Sequence, residues 1–124
     1  KRAVDRLKRG ELVATAVDAM HGDQLIEVEF CGYKTNVARG PAALARMTGA
    51  TVIPITLTWG QNWSIEFRLH SPIVVPDSIS RSSIEFEVVL TRMVVRQFDA
   101  MIRQSPEQLR LDRLARLITN PRAR

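Results

Sequence analysis

The sequence predicts an α/β domain in which a mixed sheet is flanked by helices and followed by two C-terminal helices. Two observations predict this class. Strand patterns alternate with helical patterns through the first half of the chain, and two consecutive helical patterns close it. The chain has 124 residues, of which 45% are apolar, so it can bury the core of one domain but not of two.

The N-terminal segment is predicted to hold a short basic helix and then a buried strand. Apolar positions between residues 3 and 7 share one helical face, and Gly10 stands where a left-handed terminating residue is favoured. Residues 12–17 form an apolar run that is typical of a strand covered on both faces. We therefore expect Asp18 at the carboxyl end of a strand.

The next two elements are predicted to be a half-exposed strand and a slim helix. Residues 26–30 alternate strictly between apolar and acidic side chains, and Gly32 ends the pattern. Gly40 and Pro41 then supply a helix start, three alanines follow, and Gly49 supplies its end. A helix with so many alanines can pack close to a sheet.

A hairpin is predicted in the middle of the chain. Residues 51–58 indicate a buried strand in which Pro54 requires an edge or a bulge, and residues 59–62 form the turn. Residues 63–69 alternate between apolar and polar side chains, which indicates a second strand with one solvated face.

Two helices are predicted to complete the domain. Ser82 and Glu85 match a capping box, and helical spacing of apolar residues from Ile84 onward predicts a helix over residues 82–104. Pro106 opens a second helix, which is amphipathic and basic.

The formal net charge is +5, and ten of the eighteen lysines and arginines lie near the two ends of the chain, within residues 1–9 and 110–124. This distribution suits an anionic membrane surface, which attracts each nearby cation by about 1 kcal/mol. It equally suits solvated helix faces. Nucleic acid is disfavoured as a partner, because aromatic stacking runs and helix-turn-helix spacing are absent from the sequence. Cys31 is the single cysteine, so neither a disulfide nor a zinc cluster is indicated.

Residues 37–55, VARGPAALARMTGATVIPI, closely resemble a stretch of the bacterial lipid A lauroyl/myristoyl acyltransferases and of the related phosphatidylinositol mannoside acyltransferases. The preceding EFCG at residues 29–32 resembles a Phe-Phe-Gly element of that family. SPI at 71–73 and PEQ at 106–108 resemble two later elements, so the resemblance spans about residues 3–118. Two departures stand out: Cys31 replaces the second aromatic residue, and residues 109–113 lack the tryptophan and histidine usual in the family.

The resemblance implies that residues 1–124 are the C-terminal portion of a lysophospholipid-acyltransferase-like domain. It implies transfer of a fatty acyl group from acyl-CoA or acyl-carrier protein to a hydroxyl of a glycolipid acceptor, at the cytoplasmic face of the membrane, without a metal or other cofactor. These enzymes use a histidine and an acidic residue separated by four residues. That pair is absent here, since Ile26 holds the acidic position relative to His21. We therefore assign no catalytic residue and expect the histidine upstream of Lys1.

Four residues are candidates for substrate binding. Asp18 matches an acidic position of the family, and the alternative is an aspartate that caps a loop. Thr35, Arg39 and Gly40 precede a predicted helix N-terminus, whose free N–H groups can receive a phosphate of the donor or of a glycolipid. A purely structural helix entry is an equal alternative for these three.

Apolar side chains of the predicted strands offer an acyl channel as a further hypothesis. Val13, Val52, Ile55 and Leu57 are its candidates. Ordinary core packing explains the same residues better at the level of sequence.

Overall fold

The computed structural model describes residues 2–16 and 24–108. Within these ranges the order is α1 (Arg2–Lys8), β1 (Leu25–Phe30), β2 (Tyr33–Ala38), α2 (Gly40–Thr48), β3 (Ile55–Trp59), β4 (Ile65–Leu69) and α3 (Ile84–Gln104). Short 3-10 turns occupy Gln61–Trp63 and Pro106–Gln108. The predicted α/β class is confirmed. Its strands are divided between two antiparallel pairs, and the rest of the predicted last helix lies outside the described residues.

The first strand pair forms where the sequence alternates between apolar and acidic residues. β1 and β2 are antiparallel, and the turn between them is Cys31-Gly32, with φ angles of 52° and 81°. Two successive positive φ angles are typical of a tight two-residue hairpin turn. Ile26 and Val28 point inward and pack with Val95 of α3, so this hairpin covers one side of the long helix.

Helix α2 has the boundaries that its glycines and proline predict. Pro41 lies in its first turn, and Gly49 follows it in the left-handed conformation at φ 75°, donating its N–H to the carbonyl of Ala45 at 2.9 Å. Ala42 and Ala45 are almost fully buried. Their small side chains let α2 pack closely against α3.

Helix α3 carries most of the core. Its N-cap is Ser83, whose hydroxyl accepts a hydrogen bond from the N–H of Phe86 at 3.2 Å, so the predicted cap at Ser82 is wrong by one residue. The buried face of the helix is displaced as well, because Ile84 is 64% exposed. The main core cluster consists of Ala42, Ala45, Phe86, Leu90 and Val94.

The second strand pair confirms the predicted hairpin but not the burial of its apolar face. β3 and β4 are antiparallel, and an isolated bridge joins Val52 to Ile73 before the ladder begins. Pro54 lies between the bridge and β3, which shortens the strand expected over residues 51–58. Every residue of β4 is exposed, so the face expected to be dry meets solvent.

The buried strand expected over residues 12–17 is wrong for the described part of that run. Residues 12–16 have no regular secondary structure, and Leu12 is 93% exposed. A strand covered on both faces needs a neighbouring strand, and no described strand lies beside this run. Among residues 2–16 and 24–108, no helix combines the length and the apolar character that crossing a bilayer requires.

Candidate functional site

An apolar cleft lies between α1, α2, α3 and the segment that leads into β3. Its volume is about 180 Å³. Its apolar walls include Leu7, Val13, Leu44, Val52, Ile53, Ile55, Val94 and Phe98. Ile53 and Ile55 are 44% and 38% exposed, so this wall is open to solvent rather than sealed in the core. The cleft can accept an apolar group from outside.

The N-terminal end of α2 reaches the same cleft. Pro41 lines it, directly after Gly40, which begins the helix. No side chain caps the first turn of this helix in the described structure. Pro41 has no N–H and the N–H of Ala43 donates to the carbonyl of Arg39, so Gly40 and Ala42, which do not line the cleft, carry the remaining N–H groups of this first turn. The positive end of the helix dipole favours a negatively charged or strongly polar group at this end of α2.

A buried ion triad fixes α2 on α3. Glu87 is fully buried, and its Oε1 accepts a hydrogen bond from Arg46 Nε at 2.5 Å. Arg39 Nη1 lies 3.3 Å from the other carboxylate oxygen. That oxygen accepts no well-directed hydrogen bond from a described residue, so its contact with Arg39 is chiefly electrostatic. Arg39, predicted to bind substrate, thus contacts a buried carboxylate of its own chain.

Of the four predicted substrate-binding residues, the three that the structure describes are not assembled into one group. Gly40 begins α2 beside the cleft, and Arg39 is the residue before it. Thr35 is 5% exposed and lies on the inward face of β2 with Val37. It does not line the cleft. Asp18 lies outside the described residues, as does His21.

The structure brings together three of the four residues that were candidates for an acyl channel. Val13, Val52 and Ile55 all line the cleft. Leu57 does not, and it lies on the exposed face of β3 with 66% of its surface in solvent. Val52 also packs against the main core cluster, as core packing predicts, whereas Ile55 and Leu57 are exposed to solvent.

A second, polar pocket lies between the first hairpin and α3. It has a volume of about 420 Å³ and is lined largely by charged side chains, among them Glu27, Lys34, Arg92 and Arg96. No metal-binding cluster of histidine, cysteine or acidic residues occurs in the part of the chain that the structure describes.

Asp99 of α3 holds the turn of the first hairpin beside this polar pocket. Its Oδ1 accepts a hydrogen bond from the N–H of Cys31 at 2.5 Å, and its Oδ2 accepts one from Arg103 Nε at 2.8 Å. The hydrogen bond from Arg103 lowers the pKa of Asp99. Burial, reinforced by the nearby carboxylate of Asp99, raises the pKa of the Cys31 thiol.

The family model of bacterial lipid A biosynthesis acyltransferases matches residues 1–111. The chain belongs to this family. No curated protein matches the chain significantly. Membership supports an acyltransferase role in lipid biosynthesis.

Sequence reasoning missed Glu87 and the contributions of Leu7, Val94 and Phe98 to the cleft. A signal for Glu87 was present, because it lies four residues before Thr91 and seven before Val94, on the buried face of α3. A charged residue on such a face requires a partner of opposite charge.

Proposed function

We propose that this chain forms the acyl-binding portion of a lipid O-acyltransferase. The enzyme would take a fatty acyl group from a thioester donor, either acyl-CoA or acyl-carrier protein, and transfer it to a hydroxyl of a glycolipid. The acceptor would place the protein at the cytoplasmic face of the membrane, where its net positive charge faces anionic lipid. The observation that carries the proposal is an apolar cleft, open at one wall, in a chain of the lipid A acyltransferase family.

The size of the cleft indicates what it can hold. Pockets for whole small ligands usually measure about 300–1,000 Å³, whereas this cleft has about 180 Å³. It is therefore suited to a stretch of acyl chain rather than to a complete donor. None of the described residues that line the cleft is charged, as burial of a hydrocarbon requires.

The end of α2 suggests how the polar part of the substrate is oriented. An acyl chain bound between Leu44 and Ile53 would lie beside α2, and Gly40 and Pro41 form the first turn of that helix. The free N–H groups there could receive a phosphate or the carbonyl oxygen of the thioester. In the reaction, the acceptor hydroxyl attacks the thioester carbonyl, its proton goes to a base, and the thiolate leaves. The residues described here bind and orient and do not supply that base.

Binding of an acyl probe tests this proposal. NBD-dodecanoyl coenzyme A should bind the full chain with an increase in fluorescence as the chain enters the cleft. Ile53→Asp should weaken binding at least about tenfold, because the carboxylate would have to be desolvated beside the acyl chain. The matched control Ile84→Asp changes an exposed isoleucine that does not line the cleft, and it should bind like the unchanged chain.

Equal affinity in the Ile53→Asp variant and the control would contradict the assignment of the cleft. Circular dichroism of both variants shows whether each one is folded. Ile53 is partly exposed already, so the substitution should be tolerated.

A second candidate function is lipid binding without catalysis. It is favoured by the absence of a histidine with an acidic residue at the family spacing anywhere in the 124 residues. Release of free thiol from the acyl-coenzyme A separates the two candidates. Thiol release that depends on Asp18, and that falls in an Asp18→Ala variant, favours the enzyme. Binding without any thiol release favours the second candidate for this chain.

A further inference from the structure

The hairpin of β3 and β4 presents a continuous apolar face, which we call the aromatic face. Cross-strand pairs in an antiparallel ladder have their side chains on the same side of the sheet. Every second pair of the β3–β4 ladder, three pairs in all, is apolar on both strands, and these three pairs share one face. The aromatic face consists of Ile55, Leu57, Trp59, Ile65, Phe67 and Leu69, and these residues are 38–66% exposed.

The opposite face of the same hairpin is polar. It carries Thr56, Thr58, Glu66 and Arg68, and Glu66 pairs with Arg68. The hydroxyl of Thr56 lies 2.9 Å from His70 Nε2, which fixes the end of the hairpin. The hairpin is therefore amphipathic, and its two faces are suited to two different environments. Six large apolar side chains on one surface form a patch of the kind that marks an interaction site.

The tip of the hairpin continues the apolar character beyond the strands. The loop of residues 60–64 contains no charged side chain, and Trp63 within it is 90% exposed. Its conformation is fixed by the Gly60 N–H, which donates to the carbonyl of Ser64 at 2.9 Å. Tryptophan favours the boundary between headgroups and acyl chains, because its ring is apolar while its N–H needs a polar partner.

The aromatic face is also continuous with the cleft. Ile55 begins β3 on this face and at the same time lines the cleft. An apolar path thus runs from the exposed hairpin into the interior of the molecule. The cleft alone holds only part of an acyl chain, so the remainder of a lipid needs an apolar environment next to it.

From these observations we infer that the aromatic face and the tip of the hairpin insert into the interfacial region of an anionic phospholipid bilayer. The net charge of +5 supplies the attraction to the anionic surface, and the apolar side chains supply the insertion. This inference extends the proposed function, on which it rests for the path of the lipid into the cleft. The polar face of Glu66 and Arg68 stays in water.

The tryptophans of the chain make a direct test possible. Both tryptophans of the 124 residues, Trp59 and Trp63, lie in this hairpin, so tryptophan fluorescence, excited at a wavelength that Tyr33 does not absorb, reports on the hairpin. Vesicles of phosphatidylglycerol and phosphatidylcholine in equal parts should shift the emission to shorter wavelength. Phosphatidylcholine brominated near the glycerol end of its acyl chains should quench it.

A pair of variants tests whether the aromatic face is responsible. Leu57→Asp should lower the vesicle partition coefficient by more than about tenfold, because it removes an inserted leucine and adds a carboxylate that resists desolvation. Val74→Asp is the matched control. It makes the same change of charge at an apolar residue that is 73% exposed but lies outside the hairpin, and it should partition within about twofold of the unchanged chain.

Three results would overturn the inference. The first is an emission spectrum that vesicles leave unchanged and bromolipid does not quench. The second is equal loss of binding in both variants. The third concerns the protein without lipid: its tryptophan emission is already at short wavelength and depends on protein concentration, and sedimentation shows a dimer that Leu57→Asp dissociates. The aromatic face would then be covered by a second copy of the chain.

The acyl-probe assay keeps this inference distinct from the proposed function. Leu57 does not line the cleft, so Leu57→Asp should still bind NBD-dodecanoyl coenzyme A. If the unchanged chain binds the acyl probe but does not bind vesicles, the bilayer inference alone is wrong. Vesicle binding without any probe binding overturns the assignment of the cleft alone.

Discussion

Replacement of Glu87 by glutamine should destabilise the fold more than any other removal of a single charge from the described ion pairs. The carboxylate is fully buried and lies 2.5 Å from Arg46 and 3.3 Å from Arg39. Removal of one partner from a buried pair costs about 3–5 kcal/mol, because the other charge remains in an environment of low polarity. The side chains of Arg39 and Arg46 are 28% and 29% exposed, so water can solvate them in part. We therefore expect a loss of about 3 kcal/mol.

Urea denaturation followed by circular dichroism measures this loss. With a typical slope of about 2 kcal/mol per molar urea, the midpoint of unfolding should fall by about 1.5 M. Glu85→Gln is the matched control, since it makes the same substitution on the same helix at an exposed residue. It should cost less than about 1 kcal/mol.

A double-mutant cycle with Arg46→Gln tests the contact itself. The two substitutions should couple by about 1.5–3 kcal/mol, as hydrogen bonds to charged groups do. A loss below about 1 kcal/mol in Glu87→Gln, or coupling near zero, would refute the argument that α2 is held to α3 by this triad.

Gly49→Ala should destabilise the domain by about 1 kcal/mol in the same urea assay, because φ is 75° there, whereas the added Cβ would meet its nearest atom at an ordinary 3.5 Å. Gly40→Ala should cost nothing measurable, since φ is not positive there and an added Cβ meets no atom within 4 Å. Asp99→Asn should speed alkylation of Cys31 by iodoacetamide, since the carboxylate contributes to the raised pKa of that thiol, and an unchanged rate would contradict this cause. The lowered pKa of Asp99 means that its contribution to stability is present above the unfolded carboxyl pKa of about 3.9 and is lost as pH falls through the folded value. Asp99→Asn should therefore reduce the fall in the free energy of unfolding as the pH is lowered into the acid range. An unchanged fall would show that other carboxylates govern it.

Elements whose signals are local could be predicted from the sequence. Gly40, Pro41 and Gly49 set the ends of α2 through backbone conformations that each residue favours by itself. The alternation in residues 26–30 likewise fixed which side chains of β1 face the core.

Features that depend on contacts between distant segments could not be predicted. The run at residues 12–16 looks buried by composition, yet burial depends on strands beside it that a single sequence does not reveal. Arg39 and Glu87 are far apart along the chain, so the sequence left Arg39 open between a substrate ligand and a structural helix entry and gave no sign of its ion pair with Glu87. The exposed aromatic face was missed for the same reason, since alternation predicts a face but not what covers it.

The triad of Arg39, Glu87 and Arg46 also determines which wall of the cleft can move when the cleft widens. It clamps α2 to α3, so these two walls should behave as one rigid unit. The opposite wall, residues 50–55, is joined instead to the segment after β4, through the bridge of Val52 with Ile73 and the carbonyl of Pro54, which accepts from the N–H of His70 at 3.0 Å. We expect that widening of the cleft by a bulky chain displaces this wall together with the hairpin that follows it. Any change in the width of the cleft would then be accompanied by a change in the tilt of the hairpin.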